Sequence, residues 1–359
     1  MKKKQTLTLN GKPLKKTAKM SKVRKAFIVT LLAYPVIHFL IFWVYINSNA
    51  IYLTFTRYIW DEGKFMFYAI DPFINYKMWI SQIRTNVTTQ HILYTSLGYL
   101  PVTCCVSLPL SLICSYFLFK KMPAGNVFRV IFYLPSILPV AVLAMSFRFA
   151  FGDNGFIDPM LEALGITPPN WWGSSSLTPF MVYFYCVWAG LGFNIVLYSG
   201  SMSRVPEELI EYNRLEGVGL FRELFTIITP LIWPTLSTTF IVGMASVLTL
   251  YQQPYFLMMS TSGAYNTGTI YLYIFANYSN TLQVPQVASF GLLCSVVFVP
   301  FILLARWLLG KFFKDYLTGI HMSKFSSAET ESYFNLIAFG KELSSLINLC
   351  VQVVLINVW

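Results

Sequence analysis

The sequence predicts an all-α fold, a polytopic bundle of membrane-spanning helices, and three observations carry that prediction. Apolar residues make up 56% of the 359-residue chain and charged residues 11%, against roughly a quarter charged in a soluble globular domain. Mean hydropathy is +0.58. Six apolar stretches reach the length of about 20 residues that a bilayer core demands: roughly 26–49, 92–118, 127–150, 177–199, 226–250 and 286–309.

Lysine and arginine set the orientation of such spans. From Lys2 to Lys25 the chain is basic with no acid, which predicts a cytoplasmic tail over 1–25. Lys120 and Lys121 mark the second connection as cytoplasmic, and Arg204, Arg214 and Arg222 the fourth. The third has Asp153, Asp158 and Glu162 without a base, and residues 251–285 carry no charge, so both belong outside. The first connection mixes both signs and leaves the alternation standing. Six spans follow, with both termini cytoplasmic. The net charge of +11 is concentrated in the tail and near cytoplasmic membrane ends, where anionic lipid explains it better than nucleic acid. The first apolar run is longer than a signal-peptide core and has no small-residue cleavage site, so it reads as an uncleaved span.

Taken in order, residues 26–89 form the first span and its outer connection. His38 lies within that span as either a functional candidate or a hydrogen-bonded packing residue. The connection is rich in aromatics, among them Trp60, Phe65, Phe67, Tyr68, Phe73, Tyr76 and Trp79, which suits a docking surface for a substrate-delivering protein or an interfacial aromatic belt. A core domain over 90–317 holds the remaining spans. In the third, Pro135 and Pro139 interrupt the helix, and the carbonyls they free need a neighbouring helix or a cavity. The break is therefore expected to face protein. The fourth span carries Trp188 and Asn194 among apolar residues. All six cysteines lack metal-ligand spacing and read as small core residues.

Residues 205–230, VPEELIEYNRLEGVGLFRELFTIITP, are the charged stretch between the fourth and fifth spans. Pro206 suits the first position of a helix, and Glu207 and Glu208 sit where the positive helix end favours anions. Leu209, Tyr212 and Leu215 form an apolar stripe, with Glu208, Glu211 and Arg214 on other faces. Gly217 and Gly219 then end the helix through a left-handed turn, and a second helix restarts at Leu220 and runs into the membrane.

Glu211, Glu216, Gly217, Ile227 and Pro230 resemble, in type and spacing, the EAA motif of bacterial ABC importer permeases: E-A-A, two residues, D-G-A, then a helix ending I-x-L-P. Gly217 and Pro230 lie thirteen apart, as that motif requires. Tyr212 and Asn213 stand in place of the alanines, Glu216 of the aspartate and Val218 of the next alanine. Two further stretches are similar to the carbohydrate-type branch of the family: the proline-containing first span, and Asn126–Asp158 with its FR-x-x-FxLP opening. The resemblance runs from about residue 27 to 317. It implies a type I importer permease whose coupling helix, carrying Glu208, Glu211, Tyr212, Arg214, Glu216, Gly217, Leu220 and Pro230, docks on a separate ATPase. It also implies a second permease subunit, two ABC ATPase subunits holding ATP and magnesium, an extracytoplasmic binding protein, and a sugar or oligosaccharide as cargo.

The fifth span ends TLYQQPYF. For such a cargo Tyr251, Gln252, Gln253, Tyr255, Trp188 and Asn194 are pathway candidates, because ring faces pack on sugar C–H surfaces and amides bond hydroxyls. The same groups can simply join helices. Beyond 317 the tail, 318–359, departs from the family. Its apolar run Leu343–Trp359, broken by polar residues, reads as an interfacial or packing segment, with a seventh span as the other reading.

No phosphate-binding loop is present, since Gly63-Lys64, Gly310-Lys311 and Gly340-Lys341 are followed by the wrong residues. His38, His91 and His321 are too scattered for a metal site, and no nucleophile elbow occurs. The chain is thus expected to be a transport subunit, not an enzyme. An ion-coupled secondary transporter or channel is the main rival. Such proteins place ionisable groups at the midplane, whereas Arg129, Arg148 and Arg306 fall near predicted span ends. A cargo-free membrane scaffold is the third reading.

Overall fold

The computed structural model describes residues 22–319 other than 60, 69, 121, 122, 153 and 154, together with 8, 9, 12 and 13. The tail from 320, with the run Leu343–Trp359, and most of the basic N-terminal segment lie outside the described residues. The chain divides into two units, Met1–Asn49 and Ala50–Trp359.

In the first unit, β1 (Thr8–Leu9) pairs antiparallel with β2 (Lys12–Pro13). Helix α1 (Lys22–His38) passes through a π-helical stretch, Phe39–Tyr45, into α2 (Ile46–Leu53). Ser48 Oγ donates to Val44 O at 2.7 Å, and Asn47 Nδ2 donates to Trp43 O. Side chains thereby serve carbonyls of the widened turn. His38 stacks on Phe42 one turn on, ring centroids 4.6 Å apart, which fits the packing reading.

The second unit opens with a hairpin of β3 (Thr56–Ile59) and β4 (Lys64–Phe67), in register from Thr56↔Phe67 to Ile59↔Lys64. Gly63 makes the turn at φ +62°, a backbone angle that suits glycine. Helix α3 (Ile74–Thr85) follows. Its Asn75 amide donates to Thr54 O and Thr56 O at 2.9 and 3.1 Å. Trp79 is 2% exposed, stacks on Phe290 at 4.3 Å and donates its Nε1–H to Gln286 O at 2.8 Å. The connection between the first two rods is thus a folded element moored by Trp79, with Phe67 and Phe73 left exposed.

Helix α4 (Val87–Pro101) is capped by Asn86, whose Oδ1 accepts from Thr88 N at 2.9 Å. Pro101 has no N–H to offer Leu97, and a π-helical stretch, Val102–Ser107, leads on into α5 (Leu108–Phe119). Helices α6 (Gly125–Ile137) and α7 (Val140–Ala150) meet at 108°, and the short α8 (Ile157–Ala163) precedes the long α9 (Leu177–Met202). Next come α10 (Glu207–Leu215), α11 (Leu220–Glu223), a π-helical stretch Leu224–Ile228, α12 (Thr229–Leu231) and α13 (Trp233–Ser246). The chain closes with α14 (Gln252–Met258), α15 (Ile270–Asn277) and α16 (Val284–Gly319).

Among the described residues, four helical rods are long and apolar enough to cross a bilayer: Thr30–Leu53, Val87–Phe119, Leu177–Met202 and Val284–Lys311. The third and fifth expected spans correct the simple picture, because each is a bent pair. The third breaks at Leu138 and Pro139, where the backbone becomes extended (ψ 144° and 134°), and the fifth bends by 81° at Ile232. Pro135 is buried, but Ser136 to Pro139 are exposed on this chain. Within this chain the proline inside the helix is covered and the break is not.

Small residues let the rods approach. Ser115 Oγ lies 3.1 Å from Ser199 Oγ between α5 and α9, a hydrogen-bonded contact of the kind that joins helices in lipid. Gly192 of α9 sits against the backbone of α6, and a Cβ there would lie 2.3 Å from Phe132 O and 3.0 Å from Tyr133 Cα. Neither backbone atom can swing aside as a side chain would. Gly192→Ala is therefore expected to push α6 off α9 and destabilise the protein by about 1–3 kcal/mol, seen as a lowered apparent melting temperature in detergent.

Candidate functional site

Helix α10 begins at Glu207, directly after Pro206, with Glu207 and Glu208 in its first turn. Ile210 and Asn213 are its buried positions, at 8% and 7% exposure, and Asn213 Nδ2 donates back to Leu209 O at 2.8 Å. The predicted apolar stripe runs from half-buried Leu209 to Tyr212 and Leu215, which are 59% and 87% exposed. Glu208, Glu211 and Glu216 are exposed as well, and the side chain of Arg214 lies outside the described residues. A hydrogen bond to the Glu216 carboxylate, reinforced by its charge, pushes the Tyr212 hydroxyl above the usual tyrosine range.

Gly217 ends the helix at φ +68°. Val218 N donates to Asn213 O at 3.1 Å, and Glu216 N to Tyr212 O at 3.1 Å. The first of these is the six-to-one bond that closes a helix over a left-handed glycine. Gly219 caps α11, and Leu220 and Phe221 at its start are exposed. The predicted turn and restart at Leu220 are both present. Pro230 lies in α12, just before the bend.

Sequence reasoning missed how the far end of this segment is held. Glu223, 2% exposed, accepts from Lys120 Nζ, which lies 2.6 Å from Oε1 and 2.8 Å from Oε2. Lys120 is the residue that closes α5, and its ammonium also lies 5.6 Å from the centroid of the Tyr116 ring. Around the pair, Leu112 and Tyr116 of α5, Tyr198 and Met202 of α9, and Leu224, Ile228 and Ile232 form one buried cluster. Removing one partner of such a buried pair strands a charge at a cost of about 3–5 kcal/mol. Lys120 entered the sequence reading only as a mark of orientation; the pairing itself has no local signal.

The second candidate group surrounds α14. After a 3₁₀ turn, Val247–Thr249, the backbone extends at Leu250, and Tyr251 precedes the helix. Thr269 Oγ1 donates to the freed Leu250 O at 2.5 Å, and Arg148 of α7 donates to Leu257 O near the helix end. Arg148 also covers the Trp172 ring at 5.5 Å. Tyr251 packs on Tyr271 and Phe275 of α15 at 4.8 and 4.9 Å, and Tyr255 meets Phe275 at 5.5 Å. Gln252 is exposed, with Nε2 3.4 Å from Tyr251 Oη, and Gln253 is half-buried beside it. The structure thus gathers Tyr251, Gln252, Gln253 and Tyr255 at the start of one short helix against an aromatic wall. Trp188 and Asn194 have their partners elsewhere. Trp188 packs with Phe147 and Tyr185 along an apolar recess of about 350 Å³, and Asn194 bonds Gly190 O of its own helix at 3.4 Å.

The profile of the family described as binding-protein-dependent transport system inner membrane component matches residues 107–316, a stretch that includes both groups. The arabinooligosaccharides transport system permease protein AraP of Bacillus subtilis (strain 168) is 23% identical over 280 residues, covering 77% of this chain and 86% of that protein. The probable ABC transporter permease YurN of the same strain is 29% identical over 133 residues, 36% of this chain and 46% of its own. The maltose/maltodextrin permease MalF of Shigella flexneri is 29% identical over 120 residues, 33% of this chain but 23% of that longer protein. In structure, a bacterial ABC transporter involved in the import of the acidic polysaccharide alginate aligns with TM-score 0.68 at 16% identity, over 80% of this chain and 96% of that chain. That likeness is one of fold.

The two glycines of the segment separate backbone strain from crowding, since a Cβ at either would meet nothing within 4 Å. Gly217→Ala must hold a left-handed angle and is expected to cost roughly 1–2 kcal/mol. Gly219→Ala, at φ −66°, should shift the melting temperature far less. Thermal unfolding of the two variants side by side checks this.

Proposed function

This chain belongs to the family of binding-protein-dependent transport system inner membrane components, and from that membership we propose that it is a permease subunit of an ATP-driven importer carrying a sugar or oligosaccharide. The cargo class rests on its relatives, named for arabinooligosaccharides and maltodextrins. The observation that carries the reading is α10 itself: a short helix between two spans, ended by Gly217, with Tyr212 and Leu215 uncovered amid acidic side chains. Large apolar side chains left in water on a charged helix mark a surface made to be covered.

In this reading the bent pairs complete six spans, both termini are cytoplasmic, and the segment 205–230 is the coupling element of a core domain over 90–317. ATP and magnesium act on two partner ATPase subunits. Closure of those subunits draws the coupling helices of this chain and of a second permease together, and the spans swing from inward-open to outward-open. An extracytoplasmic binding protein, like the one crystallised with the alginate transporter, delivers the cargo. Tyr251, Gln252, Gln253 and Tyr255 then meet it, the rings against C–H faces and the amides against hydroxyls. Glu208, Glu211, Tyr212, Arg214, Glu216, Gly217 and Leu220 make the ATPase contact, and Pro230 sets the entry to the fifth span.

The test is uptake by the reconstituted transporter. Tyr212→Ala with Leu215→Ala removes two exposed side chains and leaves the permease fold unaltered. If they are anchors of a docking surface, ATP-dependent uptake falls by about tenfold or more, while the permease remains in the membrane at its normal level. Uptake at the wild-type rate removes the assignment of α10.

A further inference from the structure

The Lys120–Glu223 pair has a place in the mechanism that the family resemblance does not supply, because position 223 falls between the motif residues Gly217 and Ile227. Every other acid described in the coupling segment, Glu207, Glu208, Glu211 and Glu216, is exposed, as is Arg222 beside it. Glu223 alone among them is turned inward, four residues beyond Gly219, with both carboxylate oxygens within 2.8 Å of one ammonium. That ammonium belongs to the cytoplasmic end of α5, the second half of the rod Val87–Phe119. Two side chains from elements about a hundred residues apart are therefore joined where α11 leaves the coupling segment.

A buried ion pair is a poor way to gain stability, since well-packed apolar residues of similar volume commonly do as well or better. What it does supply is direction and register in a low-dielectric setting, where the charges hold each other strongly. The neighbouring contacts point the same way. Leu224 and Ile228, immediately after Glu223, pack with Leu112 and Tyr116 of the same rod. The end of α5 and the start of the helix into the fifth span share one apolar cluster, pinned at its edge by a charge pair.

We propose that Lys120 and Glu223 are positioning residues that form a second transmission contact, making the end of α5 move with α11 when the coupling segment is displaced. Motion imposed on α10 then reaches the membrane by two routes: along the chain into α12 and α13, and across the ion pair into the rod Val87–Phe119. The inference rests on the ATP-driven reading above.

The experiment uses the whole transporter in vesicles and measures ATP hydrolysed per cargo molecule, assembled amount and melting temperature. In Lys120→Met with Glu223→Leu, assembly and melting temperature stay near wild type while ATP per cargo rises by about fivefold or more, the low end of couplings between sites. The exchange Lys120→Glu with Glu223→Lys restores the ratio. A wild-type ratio in the apolar double variant overturns the proposal and leaves the pair as packing. A second measurement stands even where the apolar variant assembles poorly: Lys120→Cys with Glu223→Cys in a background free of the native cysteines, joined by a short bifunctional thiol reagent. Coupled uptake regained on joining supports common motion of the two ends, and uptake abolished by joining shows that they must separate and overturns it. Failure of the parent reading looks different, because the wild-type assembly itself would then transport with no ATPase activity.

Discussion

In a bilayer every backbone N–H and C=O must find a partner inside the protein, and this constraint bears on the interruptions at Pro101 and Pro135 and on the surroundings of α14. Pro101 and Pro135 each delete a donor. After Pro101 the helix widens into a π-helical stretch and continues; Pro135 is buried within α6, against which Gly192 brings α9 close to the Phe132 carbonyl. Where α13 gives way to α14, Thr269 takes the Leu250 carbonyl and Arg148 the Leu257 carbonyl, while Ser96 Oγ accepts from Ile270 N at 2.8 Å. The backbone before, within and after α14 is served by side chains from three other elements.

That economy places the two candidate groups at opposite ends of the same bent element. The segment from Leu220 to Thr249 starts just after α10 and leads to Tyr251. Its first turns are locked into the cluster with α5 and α9, and its last turns hand over to the short helix that carries Gln252, Gln253 and Tyr255. A displacement at the start of this element has a continuous packed route to the aromatic wall of Tyr271 and Phe275. Packed interiors do not absorb such displacements smoothly, because close-packed side chains switch between discrete arrangements.

Much of this was legible in the sequence, and the boundary between legible and hidden is physical. Apolar length marked the six stretches, and glycine chemistry marked the end of α10, because a left-handed residue at a helix terminus leaves a one-letter signature. Proline marked the third span's interruption to within one residue of the observed break at Leu138. What local chemistry cannot carry is the size of a bend or the identity of a distant partner. Nothing near Pro135 specifies 108°, nor that α6 will lie against α9 at Gly192. The Lys120–Glu223 pair joins residues that read separately as a topology marker and an ordinary helix acid. Arg148 read as a span-end charge, whereas its guanidinium serves the carbonyl of Leu257, a residue more than a hundred positions away. Trp188 and Asn194 were chosen for their chemistry, and their apolar and intrahelical neighbours could not be read from the sequence.

The exposure of Tyr212 and Leu215 shows how an exposed apolar face can escape a reading from pattern alone. An amphipathic stripe ordinarily identifies the buried face of a helix, and here the periodicity is correct while its usual meaning is reversed. Ile210 and Asn213 take the inward positions, and Asn213 can be buried because its amide is spent on the Leu209 carbonyl. The apolar stripe is thereby released to the outside. A helix this short has too little surface to be held by its own burial; it is fixed instead by Pro206 and the glutamates at one end and the Gly217 closure at the other. Its shape is thus set by its two ends and not by the side chains along its outer face.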